Sequence, residues 1–207
     1  MAKKYPGVFI VLEGPDKSGK STQAQAIIKR LNKSGRETVW TREPGGTPLA
    51  EAVRAALLNP VNTVDPMAEL LLYEASRAQH VAEKIIPALK AGKVVLCERF
   101  TMSTEAYQGY GRGLSLATIK RLNDIATGGL TPDATFVFDI PEEQFNMRSR
   151  KRPHDRLELE PTEFRTRVRR GYRELSKTTP GAIRINAAKP LLEVREDIFK
   201  ALDRTIK

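Results

Sequence analysis

The stretch LEGPDKSGKST, residues 12–22, carries the clearest chemistry in the chain. Its core, Gly14-Pro15-Asp16-Lys17-Ser18-Gly19-Lys20-Ser21, fits the spacing G-x-x-x-x-G-K-[ST], and Thr22 follows. The two glycines let backbone N–H groups turn inward around a polyphosphate, and a helix opening at Lys20 points its N-terminus at the negative charge. Lys20 is then placed to reach β- and γ-oxygens, and the Ser21 hydroxyl to ligate Mg²⁺. A chance match in a glycine turn is the competing reading. An apolar strand before the loop and a helical pattern after it supply the context that such a match lacks. The loop implies a bound nucleoside triphosphate and nothing narrower. A guanine-reading N-K-x-D is missing from the chain, which argues against a GTPase.

An acceptor for a phosphoryl group has to be sought elsewhere. Glu98-Arg99 closes an apolar run, where the acid can approach a metal and the planar guanidinium fork suits phosphate oxygens. Ser103 and Thr104 follow, then Tyr107 and Gln108. Tyr73 and Arg77 stand at i and i+4 of a helical pattern, on one face and one turn apart. There a ring can stack on a base while the guanidinium bonds the base edge. Taken alone, the pair reads better as a core ring and a solvated helix charge. The densest basic run, RSRKRPHDR at 148–156, brings Arg148, Arg150, Lys151 and Arg152 together.

Five short runs rich in Val, Ile or Phe, at 7–13, 37–41, 93–98, 134–139 and 182–186, read as strands buried on both faces. Helical patterns lie between them at 20–33, 48–58, 66–91, 115–127, 141–150, 161–176 and 190–206. Alternation over the whole length predicts an α/β fold with a parallel sheet between two helical layers. With no linker or repeat, 1–207 is expected to be a single domain. Two segments break the rhythm. RFTMSTEAYQGYGRG at 99–113 reads as too polar and glycine-rich for a core element, and 148–161 as a charge-dense connection. The first follows a strand's carboxyl end, the usual place of ligands in such sheets.

Bulk properties narrow the function. The apolar fraction is 40% and the charged fraction 29%, ordinary for a globular chain. No apolar run approaches the ~20 residues that span a bilayer, so no membrane partner is expected. The single cysteine, Cys97, cannot form an internal disulfide and reads as a small buried hydrophobe, which suits a cytoplasmic protein. The net charge of +10 invites a nucleic-acid reading. Aromatics make up only 6% and no basic stripe interleaves with them, so small anionic ligands are favoured over nucleic acid.

TREPGGT (41–47), LYEASR (72–77), ERFTMSTEAYQGYGRG (98–113) and GLTPD (129–133), behind the phosphate loop, resemble the bacterial type of thymidylate kinase. The likeness runs in the family's order from about Val8 to Ile185. It implies a three-layer P-loop kinase fold with a five-stranded parallel sheet, a mobile lid near 148–160, and a homodimer. It also implies transfer of the γ-phosphoryl of ATP to dTMP with Mg²⁺. Tyr73 would stack on thymine, Arg77 would bond a base carbonyl, and Thr104 and Gln108 would meet the other polar edge, with Ser103 also in the dTMP site. Tyr107 would crowd the sugar's 2′ position and Asp16 approach its 3′-hydroxyl. Arg42, Arg54 and Arg99 would surround the acceptor phosphate, in a pocket shaped by Glu43 and Pro44. Ser21 and Glu98 would form the metal's shell, and Arg148 would lie against adenine.

Two positions depart from the family pattern. Glu98 stands where the family usually has Asp, and Lys17 where bacterial members usually have glycine. In the bacterial branch a lid arginine serves the transferring phosphoryl, so Arg150 and Arg152 are the leading catalytic cations, with Lys17 assisting beside Lys20 and Arg99. A kinase of broader pyrimidine specificity, or a nucleic-acid-dependent P-loop ATPase, are the alternative readings.

Overall fold

The computed structural model of the chain describes residues 5–148 and 155–206, without the side chains at 145, 146 and 148. Five parallel strands form its sheet: β1 Val8–Glu13, β2 Thr38–Arg42, β3 Val94–Glu98, β4 Ala134–Asp139 and β5 Ala182–Asn186, in the order β2-β3-β1-β4-β5. Their continuous apolar character follows from burial on both faces. Along β1, Ile10 and Leu12 face a cluster with Leu96, Phe136 and Phe138, covered by α1 (Lys20–Lys33) and α9 (Leu191–Thr205). Phe9 and Val11 face the opposite cluster with Val95 and Cys97, covered by Val81, Ile85, Ala88 and Leu89 of the helical segment 81–90 that continues α3 (Pro66–His80). Each fully buried Leu, Ile or Phe contributes ~1.5–3 kcal/mol, so both faces hold the sheet firmly.

The pattern at 66–91 predicts one long helix. It is continuous but not uniform: α3 passes through a π-turn, Val81–Ile85, into α4 (Ile86–Lys90), which contains Pro87. Proline lacks an N–H and crowds the preceding turn, so the ladder widens where it approaches that residue. Helix α2 (Pro48–Leu58) packs against α3 and is capped by the Thr47 hydroxyl.

The largest departure from the sequence expectation lies at 99–113. Rather than a polar loop, it forms α5 (Thr101–Thr104), running on as a π-helical stretch, Glu105–Gly111, in which Ala106, Tyr107, Gln108, Gly109 and Gly111 are buried. The glycines there serve close packing. A Cβ on Gly111 would lie 2.6 Å from the Phe164 ring, and one on Gly171 would lie 2.8 Å from Tyr110. Helix α8 (Thr162–Thr178) thereby lies directly on this segment, forming a third cluster of Met102, Tyr107, Phe164, Val168 and Tyr172. Helices α6 (Leu116–Thr127) and α7 (Glu142–Arg148) complete the described chain.

Candidate active site

At the carboxyl end of β1 the chain turns through the phosphate loop. Gly14 has φ 131°, and a Cβ there would sit 2.5 Å from the Phe138 carbonyl oxygen, so only glycine fits. Gly19 caps α1 from the left-handed region, with φ 95°. Lys20 is buried and its Nζ donates to the carbonyls of Gly14 at 2.8 Å and Pro15 at 2.7 Å. Burial and then the neighbouring Arg99 charge lower its pKa to about 7, against the opposing pull of Asp16, Glu98 and Glu13. A lysine held this way gains strongly from an arriving polyanion. The Ser18 hydroxyl is buried without a hydrogen-bond partner among the described residues.

Ser21 donates to Glu98 Oε2 at 2.6 Å, and Trp40 Nε1 donates to Glu98 Oε1 at 3.0 Å. The longer acid at position 98 is thus steered by the indole, and its second oxygen meets the loop serine. Lys17 adopts φ 60°, a left-handed conformation that favours glycine, and its Nζ lies 3.4 Å from Glu158 Oε2. The lysine therefore also ties the loop to the segment that carries Glu158.

Arg99 joins the two halves of the site. Also left-handed at φ 69°, it donates from Nη2 to Asp16 Oδ1 at 2.6 Å and to the Tyr107 hydroxyl at 3.1 Å. Its Nη1 reaches Ser103 Oγ, Tyr172 OH and the Gly14 carbonyl. Burial disfavours its charge, but Asp16 and the surrounding oxygens outweigh that and hold its pKa well above the usual arginine value. Asp16 also accepts from Tyr107 OH at 3.1 Å. Burial pushes the Asp16 carboxyl up, but Arg99 and Lys20 overcome it and bring its pKa to about 2.

Beyond Arg99 opens a cavity lined by Asp16, Glu43, Pro44, Arg54, Tyr73, Arg77, Arg99, Ser103, Thr104, Tyr107 and Gln108, with Leu58, Asp155 and Leu157. The acceptor residues expected from the sequence therefore converge here, except Arg42. That arginine pairs with Glu51 at 3.0 Å and lines the phosphate-loop cleft. Arg54 lines both spaces and donates to the Pro44 carbonyl at 2.9 Å.

Arg77 overturns the picture of a solvated helix charge. It is 2% exposed and bonds Glu43 and Glu74 at 2.8 Å, Asn123 at 2.7 Å and the Phe100 carbonyl at 3.0 Å. Four of the guanidinium's five N–H groups are so engaged, leaving one for the cavity that Arg77 lines. Burial alone would lower its pKa, but the Glu43 and Glu74 charges raise it. Thr104 Oγ1 is buried and unpartnered among the described residues, and the residue lines the same cavity. A buried hydroxyl without a partner costs free energy unless a ligand completes it.

The chain matches the family model for thymidylate kinase over residues 12–198. The chain belongs to the thymidylate kinase family. It is 50% identical over 195 residues to the thymidylate kinase of Pseudomonas fluorescens (strain Pf0-1), covering 93% of both chains. With the thymidylate kinase of Pelotomaculum thermopropionicum it shares 46% identity, covering 97% of this chain and 94% of the other. A crystal structure of thymidylate kinase from Ehrlichia chaffeensis superimposes with a TM-score of 0.79 at 34% identity, covering 95% of this chain and 98% of that one.

The donor residues are placed less completely. Asp16, Lys17, Ser18, Gly19, Lys20, Ser21 and Thr22 line a cleft that reaches Ala187, Lys189, Leu191 and Val194. Arg148 ends α7, and Arg150 and Arg152, expected from the sequence to serve the transferring phosphoryl, lie outside the described residues. Several site residues carry no local signal in the sequence. Glu13, fully buried at the end of β1, accepts from Phe100 N and Ser103 N and from the hydroxyls of Ser103 and Tyr172, and so fixes the start of α5. Burial outweighs these bonds and raises its pKa. Tyr172, Asp155 and Leu157 reach the site from elements remote in sequence. Cys97 is wholly buried, and burial pushes its thiol pKa well up, which suits packing rather than nucleophilic chemistry.

Proposed function

We propose that the chain transfers the γ-phosphoryl group of ATP to the 5′-phosphate of dTMP, giving dTDP and ADP. The observation that carries this reading is that the phosphate-loop cleft and the acceptor cavity share Asp16, Arg54, Arg99, Glu43 and Asp155 as common walls. Two anionic ligands placed in these spaces meet at a pair of arginines. Phosphoryl transfer asks a protein chiefly for such positioning and charge neutralisation. Tyr73 and Leu58 supply apolar surface for a base, while Arg77, Thr104 and Gln108 supply polar contacts at its edge.

A divalent cation fits the residues present. The Ser21 hydroxyl and Glu98 carboxylate offer adjacent oxygen donors of the kind Mg²⁺ prefers, at the mouth of the phosphate loop. When bound, the ion neutralises charge on the donor phosphates. Lys20 binds those phosphates, and Lys17 positions the loop through Glu158. Arg150 and Arg152 are assigned to the transferring group by family likeness. The same reading includes one functional domain, a cytoplasmic location, and a homodimer in which the exposed Met67 and Leu71 of α3 meet a second copy.

The test is incubation with ATP and Mg²⁺ and, separately, dTMP, dUMP, dCMP, or DNA. Selective appearance of dTDP supports the reading. Equal turnover of dUMP favours the broader kinase, and ATP hydrolysis stimulated only by DNA refutes both.

A further inference from the structure

Gln108 lines the acceptor cavity, is 1% exposed, and carries a primary amide that can present either its NH₂ or its carbonyl oxygen. Its orientation is decided from behind. Glu69 of α3 is 0% exposed, and its Oε1 accepts from Gln108 Nε2 at 2.7 Å and Arg112 Nε at 3.2 Å. Its Oε2 accepts from Arg112 Nη2 at 3.0 Å and Arg156 Nη2 at 2.6 Å. Burial raises the Glu69 pKa, but the bonds from Arg112, Gln108 and Arg156 more than reverse this and leave it below the ordinary value. An ionised carboxylate accepts hydrogen bonds and donates none. Gln108 therefore has to turn its NH₂ toward Glu69, which leaves its carbonyl oxygen for the cavity. A flipped amide would press two oxygens together inside a buried site.

We propose that Glu69 is a specificity-determining positioning residue: it fixes the Gln108 amide so that the base pocket offers an acceptor, and so selects pyrimidines bearing an N3–H. This deepens the dTMP reading and rests on it. Thymine and uracil carry an N3–H beside a C4 carbonyl, whereas cytosine has a bare N3 beside a C4 amine. The one N–H that Arg77 has left suits a carbonyl and opposes an amine. The Thr104 hydroxyl rotates to suit either and does not discriminate. Arg156 also donates to the Leu57 carbonyl at 2.8 Å, which ties the orienting carboxylate to the segment beside Asp155 and Leu157 that walls the cavity.

The test compares kcat/KM for dTMP, dUMP and dCMP in the full chain and in Glu69→Gln, Glu69→Asp, Gln108→Met and the Glu69→Gln/Gln108→Met double variant. Glu69→Gln keeps the shape but adds an NH₂ that Gln108 can meet with its carbonyl, freeing the amide to turn. The dTMP-to-dCMP ratio is expected to fall at least about tenfold, while the dTMP-to-dUMP ratio holds. Glu69→Asp, still a pure acceptor, is expected to retain the ratio even where overall activity drops. On the Gln108→Met background Glu69→Gln is expected to change the ratio no further, because both act through one amide. If Glu69→Gln lowers turnover of all three nucleotides equally, Glu69 is a structural anchor only and the proposal fails. Should Glu69→Gln not fold, Gln108→Met decides, and an unchanged ratio there overturns it. A parent protein that makes no dTDP refutes the functional reading instead, a result distinct from all of these.

Discussion

Replacing Arg77 by Ala tests whether this side chain is a base contact alone or also a strut of the fold. Sequence logic by itself predicts a local effect, a roughly 10- to 100-fold loss in kcat/KM for dTMP from one charged hydrogen bond of about 1.5–3 kcal/mol. The structure predicts more. Glu43 and Glu74 are both buried, and both lose their guanidinium partner at once. Stranding buried charge in this way costs about 3–5 kcal/mol, a large share of the ~5–15 kcal/mol that holds a domain folded. For a chain of this size, at about 2–4 °C per kcal/mol, Tm is expected to fall by about 6–20 °C. Thermal unfolding should be followed with and without dTMP and ATP, and kcat/KM measured below the variant's own Tm. The expected pattern is a lower Tm, loss of the stabilisation by dTMP, and retained stabilisation by ATP. A variant that melts with the parent but no longer responds to dTMP would show that the buried network does not hold the fold. One that melts with the parent and responds to dTMP normally would refute the pocket assignment as well.

Three further outcomes follow from the same geometry. Lys20, with a pKa near 7 in the free protein, is largely neutral at pH 8 and regains its proton when phosphates arrive. ATP binding at pH 8 should therefore take up close to one proton, measured by calorimetry in buffers of different ionisation enthalpy. ATP affinity should fall as pH rises above 7, and absence of proton uptake would show that Lys20 already carries its charge before ATP arrives. Lys17→Gly removes a left-handed lysine that costs about 1 kcal/mol, so Tm should hold or rise, and kcat should fall about tenfold or less. Arg150→Ala or Arg152→Ala should cost at least about 100-fold in kcat, and the reverse ranking would make Lys17 the catalytic cation. Tyr107→Phe keeps the ring against Phe164 and Tyr172 but frees Asp16 and Arg99 from the hydroxyl. Discrimination against ribothymidine monophosphate should persist while kcat falls, and a lost sugar preference would place the selectivity in the hydroxyl.

The strands are legible because double-sided burial writes itself as unbroken apolar runs, and β5 spans the same residues, 182–186, that its composition marks. The phosphate loop is legible because its backbone conformation demands glycine at fixed positions. The segment at 99–113 is misread because Gly109, Gly111 and polar residues look like loop signals. There the glycines make room for Leu116 and Phe164, and Ser103 and Gln108 find partners far along the chain in Glu13 and Glu69. Arg77 is underestimated for the same reason: Glu43 and Asn123 lie 34 and 46 positions away. Glu13 and Glu69 have no local signature at all. A buried acid announces itself only through its donors, and Tyr172 lies 159 positions from Glu13.

The central claim is that the phosphate-loop cleft and the base cavity form one continuous site through Arg99. A conjugate joining adenosine to thymidine through an oligophosphate chain of matching length tests it most directly. The account predicts one conjugate bound per chain, competitive with both ATP and dTMP, and bound far more tightly than either. A conjugate that displaces only one of the two nucleotides, or that binds no better than ATP alone, would contradict it.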